Sequence, residues 1–89
     1  GYWDCIRFDD SNNPSNEMQY VDVSYGGGDD YYLRNAMIYI NSSGYLSMGN
    51  SSVSYSDRDG VRVKSTDGTF VDEGNNTFSN NDGQDINLP

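Results

Sequence analysis

Apolar and polar residues alternate along this chain in short runs, and the runs recur at a nearly fixed interval. Ile38-Tyr39-Ile40, Val61-Arg62-Val63 and Ile86-Asn87-Leu88 share an apolar–polar–apolar pattern, and the step from position 38 to 61 nearly equals that from 61 to 86. A second series sets Ser52-Val53-Ser54-Tyr55 against Thr77-Phe78-Ser79-Asn80, with the same step from position 53 to 78. A third sets Tyr45-Leu46-Ser47 against Thr69-Phe70-Val71, again at nearly the same step, from position 46 to 70. Alternation with period two is the mark of a strand with one buried face. Three such segments in each period of roughly 20–30 residues, separated by turn formers, predict a stacked β-solenoid.

The N-terminal part joins the same scheme with an interruption. Ile6-Arg7-Phe8 fits the first series, but the step from position 6 to Ile38 is clearly longer than the others, which predicts an insertion. Residues 9–17 read as a loop, because Ser11-Asn12-Asn13-Pro14-Ser15-Asn16 are all turn formers and Pro14 cannot donate to a ladder. Residues 18–25 read as one alternating strand with Val21, Val23 and Tyr25 on one face, and Val23-Ser24-Tyr25 matches Val53-Ser54-Tyr55. The expected inward columns are Ile6/Ile38/Val61/Ile86, Phe8/Ile40/Val63/Leu88, Val23/Val53/Phe78 and Met18/Leu46/Phe70. Each coil's apolar residues are then buried only by the coils above and below. Gly or Asn in the intervening turns is expected to supply positive φ at the corners. No stretch shows a 3.6-residue period, so little or no helix is expected. The expected fold is all-β: a single module over 1–89 with about three to four coils, 1–34 forming a first coil with inserted loops and 35–89 the more regular ones.

Composition changes the picture in one respect only, by narrowing partners. Eighty-nine residues make one domain. A hydrophobic share of 34% is low for a globular chain, yet the apolar residues are β-branched or aromatic and regularly placed, which disordered segments are not. With 14 acidic and 5 basic residues the formal charge is −9, a surface that repels phosphate backbones and anionic lipid. Neither nucleic-acid binding nor membrane insertion is expected, and no apolar run approaches the ~20 residues needed to span a bilayer. The chain has no histidine, so the commonest general base and transition-metal ligand is missing. Cys5 is the one cysteine and reads as a small buried hydrophobe. The chain opens on Gly1 rather than Met, as a processed product or an excised piece would.

Several elements together resemble the secreted right-handed parallel β-helix repeat proteins of bacteria and archaea, the pectate-lyase-like superfold. The residues that carry the resemblance are Trp3-Asp4-Cys5-Ile6-Arg7-Phe8, Tyr20-Val21-Asp22-Val23-Ser24-Tyr25, Asn50-Ser51-Ser52-Val53-Ser54-Tyr55-Ser56, Gly60-Val61-Arg62-Val63 and Gly74-Asn75-Asn76-Thr77-Phe78-Ser79-Asn80-Asn81. The last two are similar to recurring G-I-x-V and G-N-T-F-S-N-N elements. The resemblance implies a right-handed β-helix and an extracellular or cell-surface setting. It does not imply a lyase, since one superfold hosts enzymes, adhesins and stalks alike.

Candidate chemistry is sparse. Arg7, Tyr39 and Arg62 fall in one outward column, and two guanidinium groups flanking a tyrosine suit an acidic sugar; the structural alternative is a solvated ladder paired with carboxylates. Asp57-x-Asp59-Gly60, with Asp9-Asp10, Asp29-Asp30 and Asp82, suggests a hard cation such as Ca²⁺, although no full calcium-loop pattern is present and Asp before Gly is also ordinary turn chemistry. Asn41, Asn50 and Asn75 head N-x-[ST] triplets and are candidate glycosylation sites, or else simply corner residues. Gly26-Gly27-Gly28 is not read as a phosphate loop, because no GK[ST] follows and Asp29 and Asp30 sit next to it. No pair of carboxylates can be singled out for glycoside hydrolysis, and Arg62 with Asp59 is the least poor guess at a lyase base and its acidic neighbour. A non-catalytic role is expected: an extracellular structural or adhesive module that self-associates end to end or forms part of a larger surface protein. The alternative is a carbohydrate-binding or polysaccharide-degrading segment of a secreted enzyme.

Overall fold

Short β-branched and aromatic runs, each cut off by turn formers after three to six residues, can make only short strands, and short strands need neighbours on both sides. A computed structural model describes residues 3–28 and 34–89 of the chain, and within them ten strands follow one another with no helix. The first coil holds β1 (Ile6–Asp9), β2 (Glu17–Gln19) and β3 (Asp22–Ser24). The second holds β4 (Ala36–Asn41), β5 (Tyr45–Gly49) and β6 (Ser52–Ser54). The third holds β7 (Asp59–Val63), β8 (Thr69–Asp72) and β9 (Thr77–Ser79), and β10 (Ile86–Asn87) opens a fourth. Every pairing is parallel, in three sheets ordered β1-β4-β7-β10, β2-β5-β8 and β3-β6-β9. This is the parallel, solenoid-like arrangement that the repeat predicts.

The register follows the repeat. Ile6 pairs with Ile38, Ile38 with Val61 and Val61 with Ile86. Val23 pairs with Val53 and Val53 with Phe78. Phe8, Ile40 and Val63 also align, but Leu88 lies beyond β10 and is 63% exposed, so it does not complete that column. The third column is corrected too. Leu46 pairs with Phe70 as expected, but Met18 pairs with Met48, not Leu46. A slip of two residues keeps every side chain on its face, so the alternation could not exclude it.

The expected single strand over residues 18–25 is also two strands. Tyr20 takes a left-handed conformation (φ 55°) and turns the chain between β2 and β3, and Tyr25 (φ 63°) turns it again. The corners stack as the strands do. Tyr20, Asn50 and Asn75 occupy equivalent left-handed positions, as do Tyr25, Tyr55 and Asn80. Positive φ is therefore carried mainly by Asn and Tyr. Among the described glycines only Gly27 and Gly74 adopt it, a departure from the expectation that Gly would share the role. A glycine such as Gly60 serves close approach instead: a Cβ there would lie 2.8 Å from the Asp85 carbonyl oxygen.

In the third coil the residue after each of the left-handed corners Asn75 and Asn80 turns back and ties two coils together. The Asn76 side chain donates to the Met48 carbonyl at 2.8 Å and accepts from the Ser51 amide at 3.1 Å. Asn81 repeats the device, donating to Val53 at 3.1 Å and accepting from Ser56 at 2.9 Å. Asn16 pins the long first loop by donating to the Tyr45 carbonyl at 3.1 Å. The bonds from the Ser51 and Ser56 amides satisfy backbone donors at a bend, where no strand partner is placed.

Burial is complete only in the middle. Ile38, Ile40, Leu46, Met48 and Val53, all of the second coil, are wholly buried, together with Val61 of the third. Ile6, Phe8, Met18, Phe70 and Phe78, on the coils outside, pack against that core and remain partly exposed. Trp3 joins them at the first-coil end, donating from its indole nitrogen to the Ser24 carbonyl at 2.8 Å.

Candidate functional site

The outward column of the largest sheet is where the sequence pointed, and the register assembles it: Arg7 pairs with Tyr39, Tyr39 with Arg62, and Arg62 with Asn87. Its middle is not an open platform. Tyr39 is only 9% exposed, and β4 is buried on both faces over residues 36–40. The described residues at the two ends of the link from β3 to β4 are tied to neighbouring coils by backbone bonds. Gly27 donates to Asp4 at 2.8 Å, Asp57 to Gly26 at 3.0 Å and Asp59 to Asn35 at 3.0 Å. Arg62 is drawn in as well, donating to the Arg34 carbonyl at 3.1 Å. Gly26 and Gly27 are packing residues: the ring of Trp3 fills the space beside Gly26, and Ser56 fills that beside Gly27.

On either side of Tyr39 the surface opens. One depression of about 450 Å³ is lined by Asn35, Asp57, Arg58, Asp59, Arg62 and Asn87 among others. A second, of about 620 Å³, is lined by Asp4, Cys5, Arg7, Asp9 and Arg34, and Cys5, the chain's one cysteine, is half-buried there. The two arginines thus face separate hollows with the tyrosine closed between them.

Asp57 and Asp59 differ in environment. Asp57 is exposed, whereas the Asp59 carboxylate accepts from the Gln84 amide at 2.8 Å and from the Asn87 side chain at 2.9 Å, tying the third coil to the start of the fourth. Among the described residues no three metal-ligating side chains converge. Asp29 and Asp30 lie outside those residues.

The three sequon asparagines are not equivalent. Asn41 ends β4 and is half-buried, while Asn50 and Asn75 are exposed and stacked, Asn75 donating to Asn50 at 3.1 Å and Asn50 to Gln19 at 2.9 Å. The network goes on to Glu73, which accepts from Gln19 at 2.9 Å. Glu17 of the first coil bonds Glu73 of the third, and that bond, followed by desolvation and the repulsion of the second carboxylate, raises the Glu73 pKa above its ordinary 4.5.

The tyrosines at the corners were not among the sites expected from the sequence. Tyr25 and Tyr55 stack with ring centroids 5.0 Å apart and planes 8° from parallel, and each is about half exposed. Tyr20 is 82% exposed and forms one wall of a third depression of about 440 Å³, whose other walls include Asp22, Asn50, Ser52, Asn75 and Thr77. The signal was present in the repeat, since Tyr20-Val21, Asn50-Ser51 and Asn75-Asn76 are equivalent corners. No family model matches this chain, and neither a curated protein nor a solved structure does. Among the described residues no helix is long and apolar enough to cross a membrane.

Proposed function

We propose that this chain is an extracellular structural or adhesive module, a right-handed parallel β-helix of the pectate-lyase-like kind, that stacks end to end with further copies of itself. The observation that carries the reading is the burial gradient. Among the described residues, only the second coil has a complete apolar layer above and below it, and β1, β2 and β3 at one end and β8, β9 and β10 at the other are the outermost strands of their sheets. Unpaired strand edges over a partly exposed apolar layer are templates for pairing with another chain. The occupant favoured here is a second copy, because the last coil presents the same three-sheet outline as the first and so can continue its columns. Such a head-to-tail contact does not close on itself and generates a filament. A right-handed winding accords with the strong preference, about 98%, of parallel strands joined by crossover connections.

The test is sedimentation velocity with negative-stain microscopy over a range of concentrations. One chain measures 30 × 28 × 19 Å, a squat disc, so any rod requires many copies. Stacking predicts rods that lengthen with concentration; a monomer at every concentration contradicts it.

A second reading has the paired hollows beside Tyr39 to support it. Arg7 and Arg62 line one hollow each, and an acidic glycan crossing the outside of the largest sheet would meet both. An acidic oligosaccharide that raises the melting temperature of the monomer, with the gain lost in Arg62→Ala, would favour this reading over stacking.

A further inference from the structure

A left-handed corner is costly for tyrosine and cheap for asparagine, whose short polar side chain bonds locally in that conformation. The third coil uses Asn75 and Asn80 at its two such corners, yet the first coil has Tyr20 and Tyr25 at the equivalent places. Tyr20 gains nothing from burial in return, since it is 82% exposed. Tyr25 at least stacks on Tyr55. Backbone strain held in place without a folding gain points toward a site.

The surroundings of Tyr20 specify what such a site would take. Its ring borders a shallow, open depression of about 440 Å³ on the surface. The floor is the outward face of β3, β6 and β9, where Asp22, Ser52 and Thr77 stand in register, with the Ser52 hydroxyl donating to the Asp22 carboxylate at 2.9 Å. Asn50 and Asn75 continue the corner column that Tyr20 begins, joined amide to amide at 3.1 Å. The lining therefore offers one flat aromatic face, amide and hydroxyl donors and acceptors, and a single carboxylate, with no cationic side chain.

We infer that the Tyr20 corner binds a neutral glycan. The apolar C–H face of a pyranose ring lies on the Tyr20 ring, and its hydroxyls donate to Asp22 and exchange hydrogen bonds with the Asn50 and Asn75 amides. The carboxylate and the chain's net charge of −9 disfavour an anionic sugar. A protein partner fits poorly, because a stable interface needs about 800 Å² from each side with an apolar centre, and this hollow is small and polar. Between the Tyr20 corner and the Tyr25/Tyr55 stack runs the floor strand, at most about 16 Å of extended chain. A glycan of several rings would reach the second aromatic pair across the Ser24, Ser54 and Ser79 column. The site is on a different sheet from Arg7, Tyr39 and Arg62, and it requires no end-to-end stacking.

The test is titration calorimetry of the intact chain with three neutral probes, the hexasaccharides of β-1,4-glucan, β-1,4-xylan and β-1,4-mannan, and with a galacturonan hexasaccharide as the anionic control. At least one neutral probe binds with a Kd of about 1 mM or tighter. Tyr20→Asn, which installs the residue that serves at the equivalent corners of the next two coils, keeps or raises the melting temperature while weakening that binding by about tenfold or more. Asp22→Asn weakens it as well. Failure of all three neutral probes to bind, tighter binding of the galacturonan, or neutral binding unchanged in a folded Tyr20→Asn variant overturns the inference. Arg62→Ala serves as the reference for the other face and leaves neutral binding intact.

Discussion

The side-chain amide of Gln19, in the first coil, crosses the whole second coil to reach the Glu73 carboxylate at the end of the third, at 2.9 Å. The crossing exists because Gly49 lies beneath it: a Cβ there would sit 2.7 Å from the Gln19 amide nitrogen. A glycine in the middle coil thus lets two polar side chains fasten three coils together from outside, and it brings the carboxyl groups of Glu17 and Glu73 into contact.

That contact makes stability depend on pH with a definite sign. The Glu73 pKa is raised, first by the hydrogen bond with Glu17, then by desolvation and by the charge of Glu17, with the bonds to Gln19 and Ser47 acting the other way. The folded chain holds this proton more tightly than the unfolded chain does. Its contribution is whole below the ordinary value of 4.5 and disappears as pH rises through the higher folded value. The melting temperature of the wild type should therefore climb as pH falls from 7 toward 4.5, and Glu73→Gln should reduce that climb. The measured quantity is the difference between the two pH profiles. Parallel profiles would show that the pair contributes nothing.

The burial gradient predicts unequal core substitutions. Ile38 and Ile86 occupy the same column on either side of Val61, but Ile38 is wholly buried and Ile86 only half so. Ile38→Ala should cost about 2–5 kcal/mol, a large share of the roughly 5–15 kcal/mol available to a domain. Ile86→Ala should cost clearly less under conditions where the chain is monomeric. Urea unfolding followed by far-ultraviolet circular dichroism compares them directly, and equal losses would contradict the gradient.

Asn76 gives a third comparison. Its side chain satisfies the Met48 carbonyl of one coil and the Ser51 amide beyond the corner. Asn76→Ala leaves the Ser51 amide without its acceptor, while the Met48 carbonyl keeps the Glu73 amide, and should cost about 1–3 kcal/mol. The neighbouring Asn75→Ala loses one exposed side-chain bond, to Asn50, and the left-handed preference of asparagine, and should cost less. The urea midpoint should shift with an unchanged slope. A larger loss at Asn75 than at Asn76 would mean that the bridging bonds are not what holds the corner.

The columns of Ile38 and Val53 were legible because a period of two marks the buried face and a recurrence at a nearly constant interval marks the stack. The same logic failed for Met18, since Met48 and Leu46 both point inward and a two-residue slip costs nothing in pattern. It failed at residues 18–25 for a different reason. Alternation continues through a left-handed corner, and tyrosine carries no sequence signal for positive φ. At the candidate sites, the adjacency of Arg7, Tyr39 and Arg62 could be read from the repeat. The burial of Tyr39 could not, because alternation marks it as an outward residue and nothing in the repeat marks β4 as buried on both faces. The Tyr20 corner was overlooked because its meaning appears only when the corners of successive coils are compared position by position.

Successive coils must lie in parallel register for any of these relationships to hold, and cross-linking tests that most directly. In a Cys5→Ser background, Ser54→Cys with Ser79→Cys places two cysteines on paired positions of adjacent parallel strands. Such neighbours lie about 4.8 Å apart, inside the roughly 4.4–6.8 Å span between Cα atoms that a disulfide accepts. Mild oxidation should give an intramolecular disulfide in high yield with the circular dichroism spectrum unchanged, whereas Ser54→Cys with Thr77→Cys, two positions out of register, should give little. Equal yields from the two pairs, or disulfides only between molecules, would contradict the stacked-coil structure.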